Sequence, residues 1–248
     1  MRNTLLITFT LLTLIFGCKK SESTSPPPTS GSGYTIKIGD TWWFHTWNKK
    51  DTIITIDTTK STVVKETTFN INNQTIPAYV IVDSSDTSSR DYFHVSDSIV
   101  EMARVTFHFD TTYDTFFTPV RLIRANVKVG DTWEDATPPL PLVGRFRVKS
   151  TVKAVNVNEN VPAGSFIVTK VGQDIYSDIL GYLGYREFSI NKDIIFVSDS
   201  VAGLSCQIGS NTYNFPTIKI SKWYSKIAQT CDTTYSAGKL IKFQRGSN

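Results

Sequence analysis

The chain has 248 residues, of which 40 % are hydrophobic, 12 % aromatic and 19 % charged, enough apolar material for a folded domain with a core. Its 26 basic and 22 acidic residues give a formal net charge of +4. Because this charge is nearly balanced and the basic residues are scattered, the composition argues against a phosphate-binding stripe, and we expect no nucleic acid among the partners.

The first 17 residues have the three-part organisation of a secretory signal peptide. Arg2 supplies a positive charge, an apolar run follows at residues 5–16, and Gly17 and Cys18 come directly after it. A helix that spans a membrane needs about 20 apolar residues. The run of 12 therefore predicts a cleaved signal and not a permanent span.

Residues 15–18, Ile-Phe-Gly-Cys, resemble the lipobox of bacterial lipoproteins. The resemblance implies that Cys18 receives diacylglycerol and further acyl chains such as palmitate, and becomes the N-terminus of an envelope protein. Lys19 after the cysteine implies sorting to the outer membrane, with the periplasmic or surface face left open. The membrane is then a partner of the protein, because several acyl chains on Cys18 would anchor the protein in the bilayer stably.

Residues 18–33 predict a tether. After the lysine pair, the segment reads SESTSPPPTSGSG and offers almost nothing to bury. We expect the globular domain to occupy residues 34–248.

From residue 34 onward the apolar pattern is short and alternating, which favours strands. The predicted fold class is all-β with antiparallel sheets, either a sandwich or a partly open barrel. The weak helix candidate is 216–228. Predicted strands are 53–56, 61–68, 78–82, 104–109, 146–157, 166–171 and 193–197, and predicted turns are 72–73, 83–86, 158–160 and 162–164.

A short motif occurs twice. Residues 36–42 read IKIGDTW and residues 127–133 read VKVGDTW. A strand that ends in a Gly-Asp turn, followed by a buried tryptophan, explains both copies, with positive φ expected at Gly39 and Gly130. The motif leaves two structurally similar halves or two small domains open, and we favour one domain.

Both motif copies, together with YFHVSDSI at 92–99 and VPAGSFIV at 161–168, resemble landmarks of a broad group of uncharacterised bacterial lipoproteins with a β-rich domain. The resemblance extends over residues 34–197. It implies a fold and a lipid anchor, and it implies no activity.

Cys206 and Cys231 are the cysteines that remain after the anchor, and an oxidising envelope compartment favours their pairing as a disulfide. Two buried free thiols are the alternative. The sequence lacks the CxxC spacing of redox or zinc motifs.

Trp42, Trp43 and Trp47 are candidates for stacking on a ligand such as a sugar ring. On a strand, Trp43 and Trp47 share one face while Trp42 and Phe44 share the other. One pair should therefore be buried, and the other is the candidate platform.

Catalytic and metal sites are not supported by the remaining residues. His94, His108 and Asp110 could supply metal ligands only if they converged, and lone histidines on aromatic strands favour a structural reading, so we expect no metal and no cofactor. The adjacent Glu134 and Asp135 should point to opposite faces, which a glycosidase pair cannot use. The sequence predicts a non-enzymatic binding or structural module with an unidentified protein or glycan ligand; the alternative is a carbohydrate-active hydrolase of the envelope.

Overall fold

The structure is a computed structural model that describes residues 33–50, 52–71, 73–84, 90–102, 105–109, 112–116, 120–139, 144–179, 181–208, 211–215 and 230–247. The predicted signal peptide, Cys18 and all of the predicted tether except Gly33 lie outside these residues, as does the helix candidate 216–228. Within the described ranges the chain forms fifteen strands and no helix.

The strands are β1 (Thr41–Lys50), β2 (Ile53–Ile71), β3 (Gln74–Asp83), β4 (Arg90–Val95), β5 (Ile99–Met102), β6 (Val105–Phe109), β7 (Thr112–Phe116), β8 (Val120–Arg124), β9 (Thr132–Ala136), β10 (Phe146–Val161), β11 (Gly164–Ser177), β12 (Gly181–Asn191), β13 (Ile195–Ile208), β14 (Asn211–Phe215) and β15 (Thr230–Gln244).

Twelve strands form one antiparallel sheet in the order β8-β5-β4-β3-β2-β1-β15-β13-β12-β11-β10-β9, with β14 paired to β13 and β6 paired to β7 in a separate sheet. The large sheet curls into a nearly closed barrel. The predicted all-β antiparallel fold is confirmed, in its partly open barrel form.

Side chains link the two edge strands of this sheet. The backbone N–H of Arg121 on β8 donates to Asp135 Oδ2 on β9 at 2.8 Å, and Arg121 Nε donates to Asp135 Oδ1 at 2.7 Å. Trp133 Nε1 of β9 donates to the carbonyl of Arg121 at 3.1 Å. The edge strands β8 and β9 are not paired with each other by a ladder of backbone hydrogen bonds, so these bonds connect the two edges.

Two predicted boundaries were wrong. The predicted strands 53–56 and 61–68 are one strand, β2, and the predicted turn 158–160 lies inside β10. Glu159 pairs with Phe166 on β11, and Val157 and Val161 on either side of it also pair with β11. This cross-strand pairing outweighs the turn preference of two asparagines. The predicted turn at 162–164 is confirmed, with Gly164 at φ 140°.

The two ends of the barrel differ in what they carry. We call the base the end that holds the turns at 36–40, 96–98 and 191–194, and the top the end that holds the tip of the β1–β2 hairpin. Gly33 lies against Asp97 in one of the base turns, and Thr35 N–H donates to the Lys192 carbonyl in another. The described chain therefore enters the barrel at its base.

One continuous core fills the barrel and includes residues from both copies of the repeated motif. Its largest fully buried side chains are Trp42, Leu122, Ile123, Ile190, Ile194, Ile195 and Leu240. In the part of the chain that the structure describes, there is no helix long and apolar enough to cross a membrane.

Candidate functional site

A cavity of about 230 Å³ lies inside the barrel. Its walls come from strands far apart in sequence, because β15 pairs with both β1 and β13 and so brings the two ends of the chain together. Successive residues on a strand face opposite sides of the sheet, and alternate residues of β1, β4 and β12 line the wall, whereas the adjacent Ser198 and Asp199 of β13 both do so. The residues that line the cavity include Trp42, Phe44, Thr46, Thr59, Asp91, Phe93, Arg186, Phe188, Phe196, Asp199, Ser236 and Gly238.

The floor of the cavity is aromatic and points toward the base. Trp42 is 1 % exposed, and its Nε1 donates to the Ile194 carbonyl in a base turn at 2.5 Å. Phe196 packs edge-on against Trp42, with ring centroids 5.9 Å apart, and against Phe93 at 5.1 Å. This edge-to-face packing makes the floor mainly aromatic, and Ser61, which pairs with Trp42 in the register, is a polar lining residue at the same level.

The mouth of the cavity is polar and points toward the top. Along β1 the wall changes from Trp42 to Thr46, and along β4 it changes from the buried Phe93 to the exposed Asp91. On β12 and β13 the same direction leads to Arg186 and Asp199. The cavity is therefore amphipathic along the barrel axis.

Arg186 and Asp199 form a two-bond ion pair in the wall at the mouth. Arg186 Nη2 donates to Asp199 Oδ2 at 2.8 Å and Nε donates to Oδ1 at 3.0 Å, which is the side-on geometry of strong charge-assisted pairs. The guanidinium also lies 5.4 Å from the ring centre of Phe188. Burial opposes its charge, but the Asp199 carboxylate outweighs burial and holds the pKa of Arg186 above its usual value.

The three candidate tryptophans lie on opposite faces of β1 and do not form one platform. Trp42 is in the cavity floor, whereas Trp43 and Trp47 are half-buried on the outer face. The ammonium groups of Lys60 and Lys242 lie 5.5 Å and 4.6 Å from the centre of the Trp43 ring. The sequence correctly predicts the alternation, but Trp42 cannot stack on a ligand at the outer surface.

The two remaining cysteines meet in the backbone register. Cys206 of β13 pairs directly with Cys231 of β15. Directly opposed residues of an antiparallel pair have Cα atoms about 4.5 to 5.5 Å apart, within the range that a disulfide bridges. Their side chains lie outside the described part of the chain, so the disulfide stays a prediction.

A half-buried carboxylate, Glu159, accepts hydrogen bonds from two nearby serine hydroxyls. Ser189 Oγ donates to Glu159 Oε2 at 2.5 Å, Ser198 Oγ donates to Oε1 at 2.6 Å, and Lys170 Nζ lies 3.1 Å from Oε2. Burial by itself raises the pKa of Glu159, but these three partners outweigh it and the pKa lies below its usual value. Both hydroxyls donate to a carboxylate that is held charged, which is a structural arrangement and not that of an activated nucleophile.

The adjacent carboxylates Glu134 and Asp135, which the sequence argues against as a glycosidase pair, are each bound to an arginine. Asp135 is bound to Arg121, and Glu134 Oε1 lies 3.1 Å from Arg147 Nη1 on the other face of β9. Burial, followed by the charge of Asp135, raises the pKa of Glu101, with His94 and Arg121 opposing the rise. His94 Nδ1 is hydrogen-bonded to the Pro77 carbonyl at 2.7 Å.

Metal ligands do not converge in the part of the chain that is described, where no group of three His, Cys, Asp or Glu side chains could hold an ion. Of the predicted candidates, Asp110 and the side chain of His108 lie outside that part. Sequence reasoning missed Arg186 and Asp199, which belong to no motif. Their only sequence signal is that Arg186 is the one basic residue of β12 and Asp199 is the one charged residue of the neighbouring β13.

No family model matches the chain, and no curated protein matches it. Among solved structures, it is similar to a protein of Bacteroides fragilis that is provisionally described as exported and has a YmcC-like fold, with 13 % identity, a TM-score of 0.41, and coverage of 86 % of this chain and 99 % of that one. It is also similar to a protein of Parabacteroides distasonis provisionally described as a lipoprotein, with 11 % identity, a TM-score of 0.39, and coverage of 85 % and 97 %. The function has to be argued from this chain's own residues.

Proposed function

We propose that the protein is a lipid-anchored component of the bacterial cell envelope whose β domain binds a small amphipathic molecule in the barrel cavity, without catalysing a reaction. The observation that carries the binding function is the cavity itself, a mainly aromatic floor that leads to polar and charged groups toward its mouth. This combination is the usual form of a small-molecule site. An apolar cavity of about 150 Å³ accepts benzene, so 230 Å³ accommodates one ring or a short chain.

The anchor rests on the sequence. The signal-like segment 1–17 and the lipobox resemblance at Cys18 support export and lipidation, with the outer membrane as the destination favoured by Lys19. A Cys18→Ala variant should leave the membrane fraction and stay an unprocessed precursor, because the apolar run is too short to hold the protein in a bilayer. Metabolic labelling with a tagged fatty acid measures this directly. Label that is retained after the substitution would place the lipid elsewhere.

The position of the anchor gives the cavity an orientation. The described chain starts at Gly33, against the base turn that contains Asp97, whereas the mouth with Thr46 and Arg186 lies toward the top. We infer that the tether reaches the domain from the side opposite the mouth. An attachment at the base then leaves the mouth open to molecules in the surrounding compartment.

The absence of catalysis is part of the proposal and has a specific support. The carboxylates suggested by the sequence for a hydrolase, Glu134 and Asp135, are each bound to an arginine and lie on opposite faces of β9. The hydrolase alternative would be favoured if the protein cleaved any member of a glycan panel and lost that activity on replacement of one Asp or Glu.

Gly238 offers a direct test of binding in the cavity. It lines the wall, and a Cβ at this position would meet only Phe44 Cδ1, at an ordinary 3.9 Å. A Gly238→Leu variant should therefore place its side chain in the cavity with little backbone strain. Ala237→Leu is the matched control, because the neighbouring residue faces the outer side of β15.

The probe is a series of straight-chain alcohols from 1-hexanol to 1-octanol, measured by equilibrium dialysis on the mature protein in phospholipid vesicles. Each buried methylene contributes about 0.8 kcal/mol, which corresponds to a roughly fourfold tighter Kd per carbon until the cavity is full. Gly238→Leu should abolish this binding and Ala237→Leu should retain it. Equal binding in both variants would refute the cavity as the site.

We also propose that Cys206 and Cys231 form a disulfide, on the basis of their direct register pairing. Closing a loop between positions 25 apart in sequence stabilises a fold by about 3.5 kcal/mol in the chain-entropy model. Mass spectrometry of the exported protein should find a linked peptide pair that separates on reduction. Two alkylatable thiols in the unreduced protein would contradict the pairing.

A further inference from the structure

We propose that the cavity selects an uncharged head group, so that its ligand is a short-tailed alcohol, amide or glycoside and not a fatty acid or an amine. The inference rests on the proposed binding function and adds the chemical class of the ligand. It depends on the ion pair at the mouth, on the hydroxyl groups beside it and on the aromatic floor.

The charges of Arg186 and Asp199 already compensate each other. Their two hydrogen bonds of 2.8 Å and 3.0 Å use Nε and Nη2 of the guanidinium and both oxygens of the carboxylate. An anionic head group would have to compete with Asp199 for Arg186, and a cationic head group would have to compete with Arg186 for Asp199. Either competition leaves one member of a partly buried pair uncompensated, which is costly. A second carboxylate in the wall, Asp91, further opposes an anion.

Neutral hydrogen-bonding groups meet no such competition. Thr46 and Thr59 face the cavity, and their hydroxyl oxygens are 3.4 Å apart. Ser236 adds a third hydroxyl-bearing residue to the wall. A hydroxyl both donates and accepts a hydrogen bond, so an alcohol or amide can bond to these groups in either direction. The ion pair then acts as a fixed dipole at the mouth and keeps both of its bonds.

The floor determines which end of the ligand enters first. Trp42 and Phe93 each pack against Phe196 at the base, and these ring contacts involve no charged group. A polar head placed there would exchange its hydrogen bonds to water for, at most, a bond to Ser61, which pairs with Trp42 in the register. The apolar tail therefore lies on the floor, and the head lies at the level of Arg186 and Thr46.

The test compares 1-octanol, octanoate and octylamine at neutral pH, by dialysis against the mature protein in phospholipid vesicles. The Gly238→Leu protein in the same vesicles serves as the blank that removes partitioning into lipid. We expect 1-octanol to bind at least tenfold more tightly than octanoate or octylamine. An Asp199→Asn variant keeps the shape of the side chain but removes its charge, and should shift the preference to octanoate because Arg186 loses its partner.

The outcomes separate this inference from the proposed function. If octanoate or octylamine binds the unmodified protein as tightly as 1-octanol, the head-group inference is overturned while the binding function stands. If all three probes bind no better than they do to the Gly238→Leu blank, both are overturned. The ranking on the unmodified protein is decisive by itself, so the inference remains testable if Asp199→Asn does not fold.

Discussion

The two copies of the Lys-x-Gly-Asp-Thr-Trp motif form the same turn in different surroundings. In each copy the lysine N–H donates to the aspartate carboxylate at 2.9 Å. The glycine N–H and the aspartate carbonyl both bond to a buried valine of the next strand, Val63 in the first copy and Val152 in the second, at 2.8 to 3.0 Å. Gly39 and Gly130 have φ of 86° and 90°, which confirms the predicted positive φ.

The two copies differ in what the rest of the chain adds. Asp40 is fully buried, and Arg245 Nη1 and the Gly246 N–H bind it at 2.6 Å and 2.8 Å. Asp131 is half-buried and keeps the turn bond from Lys128. Trp42 lines the cavity floor, whereas Trp133 donates to the Arg121 carbonyl at the barrel's open edge. The same local turn therefore has different tertiary contacts in the two copies. For each difference, we expect matched substitutions in the two copies to lower the stability of the protein by unequal amounts.

Replacement of the tryptophans should give the largest effect. Trp42→Ala removes a ring that is 1 % exposed and should cost about 4 to 5 kcal/mol of unfolding free energy, while Trp133→Ala, at 6 % exposed and beside the edge, should cost about 3 kcal/mol. Denaturant unfolding of both variants measures the difference. Unchanged stability in both would mean that the tryptophans serve a ligand and not the fold.

Replacement of the two aspartates should lower stability by clearly different amounts, with the larger loss at Asp40. Asp40→Ala leaves Arg245 Nη1 and the Gly246 N–H without their acceptor, while Arg245 Nη2 keeps its bond to the Asp193 carbonyl, and should cost about 2 to 3 kcal/mol. Asp131→Ala removes a turn bond at a more exposed site and should cost about 1 kcal/mol or less. A double-mutant cycle of Asp40→Ala with Arg245→Ala should give a positive coupling energy. If the two aspartate substitutions lowered the free energy of unfolding equally, the contacts of Arg245 and Gly246 with Asp40 would not contribute to stability.

The glycines should give the smallest difference. An alanine at either position would have to adopt a positive φ, which costs about 1 to 2 kcal/mol of conformational free energy. A Cβ on Gly39 would also lie 3.1 Å from Gly246 Cα, whereas a Cβ on Gly130 would meet nothing within 4 Å. Gly39→Ala should therefore melt at a slightly lower temperature than Gly130→Ala. The reverse order in thermal melts would show that the C-terminal segment moves aside freely.

A good part of the fold follows from local sequence. Alternation of apolar residues predicts the strands, the repeated motif predicts both turns and their glycine conformation, and the spacing of Trp42, Trp43 and Trp47 predicts that the first faces away from the other two. These features depend on backbone hydrogen bonds and side-chain periodicity within a few residues of each other. The same locality explains the error at 158–160, where pairing with β11 overrides the local turn preference.

The strand class, the two turns and the lipid-anchor prediction at Cys18 follow from short stretches of residues. Contacts between distant segments are needed to place β15 between β1 and β13, to bring Arg245 to Asp40 across 205 positions, and to join Arg186 and Asp199 at the mouth of a cavity. The physical reason is that strand order depends on contacts between distant segments, whose free energy depends on how the whole barrel closes. A cavity is the space that such closure leaves, and no local pattern specifies it.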